Sequence, residues 1–418
     1  MKDTDTKTAA PKRGQRVNVR TPDVMQRVQA EVAEHYRSEV VDKLRARNEG
    51  LTIGNTTVRL TKQFGFCYGV ERAIDLAYAT RNVFADNDVY LIGEIIHNQE
   101  VNRQLAEMGV CPLPGDSAVD EIDKLGPDDV VIVPAFGADT PTMEKIKERG
   151  CHVIDTTCGD VMSVWKRVRK YAKDGRTSII HGKSTHEETR ATASRAEGKD
   201  GKGNYLVVLT LDECDYVCDY IRQGKGDKED FLQRFSGGHS SGFDPDLHLS
   251  RIGVANQTTM LKSETEEMQR RLATAICERD ESAEGSPNDN FQVFDTICGA
   301  TQERQDALFE MLKNQLDLLL VVGGYNSSNT AHLVEIGEKE LPTFFIREAG
   351  CLKSLEQVLH FDLHQKEEVT TYSKILLGDD PVVVGITAGA SCPNNLIEDT
   401  ILKVFKLRGI DGDEVRNH

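Results

Sequence analysis

A short segment, Asp155-Thr156-Thr157-Cys158-Gly159, returns as Asp295-Thr296-Ile297-Cys298-Gly299, and a more divergent copy stands at Phe64-Gly65-Phe66-Cys67-Tyr68-Gly69. Each copy ends an extended stretch and opens a helical one. From each cysteine the chain runs through a helix and a strand to a polar loop, and the intervals from Cys67 to His97, from Cys158 to His186 and from Cys298 to Ser327 are nearly equal. Such spacing predicts three units of one plan, each with a cysteine after one strand and ligand-binding side chains after the next. Arranged about a pseudo-threefold axis, the units bring three thiols together over a shared cavity. A lone free cysteine is by default a small buried core residue. Three at equivalent strand-to-helix turns, where α/β proteins build their sites, are read as functional.

Within 418 residues there is room for two to four domains of ~150 residues. Apolar runs at 89–92, 130–133, 206–209, 318–322 and 382–386 alternate with amphipathic stretches, which predicts an α/β fold. Polar or Gly-rich segments at 198–204, 224–230 and 281–290 are expected loops, the last separating two units. The expected division is an N-terminal extension (1–60), units at 61–150, 151–290 and 291–380, and a C-terminal strand and helix (381–418) closing the site. In the extension, Val24, Val28, Val32 and Tyr36 have helical spacing, so 22–48 is expected as a surface helix. The segment 1–20 is basic and contains threonine, as organelle transit peptides do, but it carries two Asp; a disordered tail is expected.

No apolar run approaches the ~18 residues of a membrane span. A net charge of −17 opposes a broad nucleic-acid footprint, so any anion must be held locally. Ten cysteines are too dilute for a disulfide scaffold, and the N-terminus lacks the apolar core of a secretory signal. The expected compartment is reducing and cytoplasmic, with plastid stroma second.

Three thiolates can hold zinc with a histidine, or an iron-sulfur cluster. Structural zinc sites use closely spaced cysteine pairs, whereas Cys67, Cys158 and Cys298 stand far apart along the chain. A four-iron cubane normally takes four cysteines; with three, one iron keeps an open position. Cys392 is the candidate fourth thiolate. Cys111, Cys151, Cys214, Cys218, Cys277 and Cys351 are read as structural.

The polar loops indicate an anionic substrate. Tyr325-Asn326-Ser327-Ser328-Asn329-Thr330 and Thr387-Ala388-Gly389-Ala390-Ser391 each follow an apolar strand and bring hydroxyls, amides and helix N-terminal N–H groups to one place. His97 and His186, at equivalent points of the first two repeats, add imidazoles suited to phosphate or diphosphate. Glu188 is the candidate proton donor, although a first-turn carboxylate also serves the helix dipole. Thr258, in Gln257-Thr258-Thr259, could relay the proton.

The ordered motifs GFCYGVERAI, GEIIHNQEVN, DTTCGDV, THEET, ANQTTM, DTICGATQERQ, NSSNT and GITAGASCPNN resemble the 4-hydroxy-3-methylbut-2-enyl diphosphate reductase family over about residues 60–405. The resemblance implies a trefoil of three pseudo-symmetric α/β units around a [4Fe-4S] cluster ligated by Cys67, Cys158 and Cys298. It implies that His97, His186, Ser327, Asn329 and Ser391 hold diphosphate, with Ser328 close by, and that Glu188 and Thr258 supply the proton. Two-electron reductive dehydroxylation to isopentenyl and dimethylallyl diphosphate would follow, with ferredoxin or flavodoxin as electron donor. Many bacterial members carry a further diphosphate-binding histidine in an Ala-His-Gly segment, where this chain reads Ala135-Phe136-Gly137, a form that resembles the plant and cyanobacterial branch. The competing readings are a quinolinate-synthase-like [4Fe-4S] dehydratase and a zinc-stabilised binding protein.

Overall fold

The computed structural model describes residues 18–47, 50–113, 118–198, 201–224, 226–281, 289–294, 296–376 and 380–418. The expected tail up to residue 17, most of the 281–290 loop, parts of the other two expected loops, and Asp295 lie outside the described residues.

Strands β1 (Leu51–Ile53) and β2 (Thr56–Leu60) pair antiparallel. The first all-parallel sheet contains β3 (Val89–Ile92), β4 (Val110–Leu113), β5 (Val130–Val133) and β6 (His152–Asp155), in the order β4-β3-β5-β6. The second, also parallel, contains β7 (Thr177–His181), β8 (Tyr205–Val208), β9 (Ile252–Asn256) and β10 (Phe291–Val293), in the order β8-β7-β9-β10. The third runs β12-β11-β15-β2, with β11 (Leu318–Val322), β12 (Thr343–Ile346) and β15 (Val382–Ala388) parallel to β2, and β1 on its edge. Strands β13 (Gln357–Asp362) and β14 (Glu367–Tyr372) form a separate antiparallel hairpin.

The three parallel sheets therefore share one strand order. Their inner strands are covered on both faces, which explains why β5, β7, β9 and β11 are buried throughout and why β5 and β11 read as unbroken apolar runs. Leu320, fully buried between Phe344 and Ile386 in register, shows the energetic consequence: truncation to Ala would cost about 2–5 kcal/mol.

Strand pairing shifts the seams between units. By hydrogen bonding β6 closes the first sheet and β10 the second, although divisions after 150 and 290 would assign each to the following unit. Likewise β15 lies in the middle of the third sheet, and β2, from the N-terminal extension, closes it. Each fourth strand thus leads into the cysteine that opens the next unit.

The N-terminal segment is more than a surface helix. It breaks at Arg37 and Ser38 into helices Pro22–Tyr36 and Glu39–Arg47. Val24, Val28 and Tyr36 enter the core of the first unit, whereas Val40, Val41 and Leu44 enter that of the third. The break is satisfied by buried Ser38, whose hydroxyl donates to Glu398 (2.6 Å) and accepts from the Val41 N–H (3.0 Å). Tyr36 also packs edge-on against Phe66, the neighbour of Cys67. No helix among the described residues is long and apolar enough to cross a membrane.

Candidate active site

The carboxyl ends of equivalent strands converge on one cavity of about 620 Å³. Past the second strand of each order (β3, β7, β11) stand His97, His186 and Ser327. Past the third (β5, β9, β15) stand Phe136, Thr258 and Ser391, and past the fourth (β6, β10, β2) stand Cys158, Cys298 and Cys67. All nine line the cavity, as do Glu188, Ser328 and Asn329.

Each cysteine is the N-cap of a helix: Cys67 of Tyr68–Val83, Cys158 of Gly159–Lys173 and Cys298 of Gly299–Leu312, with extended backbone in every case. This aims each thiol past a helix N-terminus, where anionic sulfur is favoured. Cys298 Sγ accepts the Thr301 N–H at 3.3 Å. Without a metal, burial pushes Cys298 up to about 12 and raises Cys158 as well. The thiols interact electrostatically through Cys67, and a Cβ added to Gly69 would lie 2.7 Å from Cys158 Sγ and 3.8 Å from Cys67 Sγ. Only the missing side chain keeps that space beside two of the sulfurs clear.

Glu188 lies in the first turn of the helix Glu187–Ala196, yet it is buried and turned into the site. Thr258 N–H donates to its Oε1 at 2.6 Å, and the Thr258 hydroxyl to its Oε2 at 3.0 Å. Burial raises the carboxyl to about 7, against the opposing pull of the Thr258 hydrogen bonds. It can therefore hold a proton at neutral pH and release it inside the cavity.

Imidazoles, hydroxyls and an amide line the same cavity. His186 is itself an N-cap: its Nδ1 accepts the Glu188 N–H at 3.1 Å, which leaves the proton on Nε2. Burial holds this imidazole down to about 3, with charge on His97 and Lys183 acting in the same direction. Of the two forms that suit an anion, the neutral donor is the one present. Ser327 caps the helix Ser328–Gly337 and accepts from both the Thr330 hydroxyl (3.0 Å) and N–H (3.4 Å), so its own proton is free for a ligand. Ser391 Oγ lies 3.1 Å from the His97 carbonyl and 3.5 Å from Ser327 Oγ. Asn329 is oriented by accepting the Ala390 N–H at 2.8 Å, and Ser328 Oγ accepts from Gln257 Nε2 at 3.0 Å. Gly324 lets the loop before Ser327 abut the first unit, since a Cβ there would collide with the His97 carbonyl.

Donor atoms of His97, His186 and Glu187 lie within 4.8 Å of one another, a spacing that could hold a metal. The His186 tautomer opposes it, because Nδ1 already accepts a hydrogen bond and Nε2 carries hydrogen. The set suits an anion better. Cys392, the candidate fourth thiolate, is fully buried in the core of the third unit. Cys214 and Cys218 are buried in the second unit with their sulfurs 4.0 Å apart. Glu94 and Arg304 were not expected at the site. Glu94 contacts His97 and Asn326 of the expected polar loop without lining the cavity, whereas buried Arg304 lines it from a helix two turns beyond Cys298; neither has a repeat partner.

Fold and site together define an α/β protein of three like units around a pocket lined by three thiols and a set of imidazole, hydroxyl and amide groups. The chain belongs to the LytB protein family, whose model matches residues 58–405. It is 46% identical over 385 residues to 4-hydroxy-3-methylbut-2-enyl diphosphate reductase of Nostoc sp. strain PCC 7120, covering 91% of this chain and 93% of that one. A solved structure of (E)-4-hydroxy-3-methyl-but-2-enyl diphosphate reductase, the terminal enzyme of the non-mevalonate pathway, matches with a TM-score of 0.50 and 25% identity, over 84% of this chain and 99% of that one. The E-1-hydroxy-2-methyl-but-2-enyl-4-diphosphate reductase of Plasmodium falciparum matches in fold with a TM-score of 0.59 at 21% identity, over 82% and 86% of the two chains.

Proposed function

We propose that this cavity binds 4-hydroxy-3-methylbut-2-enyl diphosphate and removes its hydroxyl by two-electron reduction, the final step of the non-mevalonate pathway. In the overall change the allylic C–O bond breaks, two electrons and two protons enter, and water leaves with isopentenyl or dimethylallyl diphosphate. The observation that carries the reading is that one cavity is lined together by three cysteines, a protonatable carboxyl and a set of imidazole, hydroxyl and amide groups.

Cys67, Cys158 and Cys298 would hold a [4Fe-4S] cluster. Three soft sulfur donors from three helix N-termini fit that group. When bound, that group would pass on the electrons and supply a Lewis acid. The protein residues do the rest. His97, His186, Ser327, Asn329 and Ser391 hold the diphosphate, with Ser328 beside them, and this fixes the direction in which the hydroxyl points. Glu188 donates a proton at the reacting end, and the Thr258 hydroxyl orients it. Ile96, Ala135 and Val161 give the cavity apolar lining that limits water. A ferredoxin- or flavodoxin-type protein delivers electrons, in keeping with the family resemblance.

The test is an anaerobic assay of the metal-loaded chain with this diphosphate and a working electron donor. Formation of the two isomeric products is expected. No turnover, with the cluster present and reducible, would overturn the reading.

A further inference from the structure

His97 is held from several sides, by Glu94, Phe136 and the other imidazole of the site, His186. Its Nδ1 meets Glu94 Oε2 at 3.0 Å, and since a carboxylate can only accept, Nδ1 is the donor. Asn326 Nδ2 donates to the same Glu94 oxygen at 2.7 Å, tying it to the third unit. The Phe136 ring lies flat on the imidazole, with centroids 4.6 Å apart and planes 12° apart. The His186 ring meets His97 edge-on at 5.1 Å. With both ring plane and rotation fixed, Nε2 is left buried, without a hydrogen-bond partner among the described residues. The Glu187 Oε2 carboxylate oxygen is 3.7 Å away, beyond a hydrogen bond.

We propose that Glu94 and Phe136 are positioning residues for diphosphate binding, acting through His97. This deepens, and rests on, the reading of His97 as a diphosphate ligand. In the bound state both ring nitrogens donate, Nδ1 to the Glu94 carboxylate and Nε2 to a phosphate oxygen. With an ionised acceptor, the Glu94 contact is a charge-assisted hydrogen bond of the stronger kind. The stack removes ring freedom that binding would otherwise have to freeze. Because the diphosphate stays bound throughout the reaction, loss of either residue weakens ground state and transition state alike, and the effect falls on KM and not on kcat.

The probe is inorganic diphosphate titrated calorimetrically into the anaerobic, cluster-loaded chain, with KM and kcat for the full substrate measured alongside. His97→Ala should weaken diphosphate binding on the order of tenfold or more. Phe136→Ala and Glu94→Gln should each weaken it roughly three- to tenfold with kcat within about twofold of wild type, and Phe136→His, which restores a flat ring, should recover most of the loss. In the His97→Ala background Phe136→Ala should have no further effect, the coupling expected of residues acting through one another. If His97→Ala binds diphosphate normally, the reading of the site fails. If His97→Ala is impaired while Phe136→Ala and Glu94→Gln bind like wild type, or if the losses of Phe136→Ala and His97→Ala simply add, the positioning proposal alone fails.

Discussion

The floor and the wall of the cavity are each built from equivalent positions of the three units but obey different rules. Past the fourth strand of each parallel sheet stands a cysteine, the same residue three times. Past the second stand His, His and Ser, and past the third Phe, Thr and Ser. A pseudo-threefold fold offers threefold-equivalent positions, and only a ligand of matching symmetry can use identical side chains at all of them. On the proposed function the wall would have diverged because an extended substrate, with a diphosphate at one end and a hydroxyl at the other, meets each unit differently. Repetition would then mark what holds the symmetric group, and divergence what reads the substrate.

Breaking the floor should have the largest effect. Cys67→Ser, Cys158→Ser or Cys298→Ser should each abolish measurable turnover in the anaerobic assay, and the three losses should be alike. One cysteine variant with near wild-type activity would break the equivalence.

Glu188→Gln, at a residue with no repeat counterpart, should leave the metal content and KM nearly unchanged but slow kcat by about 10²-fold or more, the typical contribution of a general acid. The same residue sets a pH limb. Because the carboxyl is raised to about 7, its acid form is fully populated below that and lost above it. Turnover should fall about tenfold per pH unit on the alkaline side, and Glu188→Gln should remove that limb. The linkage has the same sign. The stability gained by keeping this group protonated in the folded state is fully present below the ordinary carboxyl range and is lost as pH rises through about 7. A limb of unchanged position and slope in Glu188→Gln would transfer the acid role elsewhere.

Ser391→Ala should raise KM roughly tenfold with kcat little changed, as expected for one hydrogen bond to a charged group. A fall in kcat with KM unchanged would move Ser391 from binding to chemistry. The smallest effect belongs to Cys214→Ser. This buried cysteine lies in the second unit's core, away from all three sets of turns, so the variant should keep both activity and metal and show only a modest drop in thermal stability.

The cysteine turns were legible in the sequence because local motif and spacing repeat together. His97, His186 and Ser327 were legible for the same reason, being a helix and a strand beyond each cysteine. The third set was legible only piecemeal. Phe136 follows His97 closely, but Thr258 and Ser391 stand much further beyond His186 and Ser327, because helices at Leu211–Gln223 and Lys228–Arg234 and the β13-β14 hairpin are inserted between them. Insertions erase a spacing signal without moving the strand they lead to. The closure of each sheet by the strand before the next cysteine was hidden as well. Pairing of β2 with β15 joins opposite ends of the chain, for example Val58 with Val384, and no local pattern encodes such a partner. The stack of Phe136 on His97 belongs to the same class, since it depends on which two turns meet.

The central claim is that three equivalent thiols hold one iron-sulfur cluster. It is tested most directly by iron and acid-labile sulfide analysis of the full chain purified without oxygen. The expected result is about four iron and about four sulfide per chain, the content of one cubane. Zinc without sulfide would contradict it.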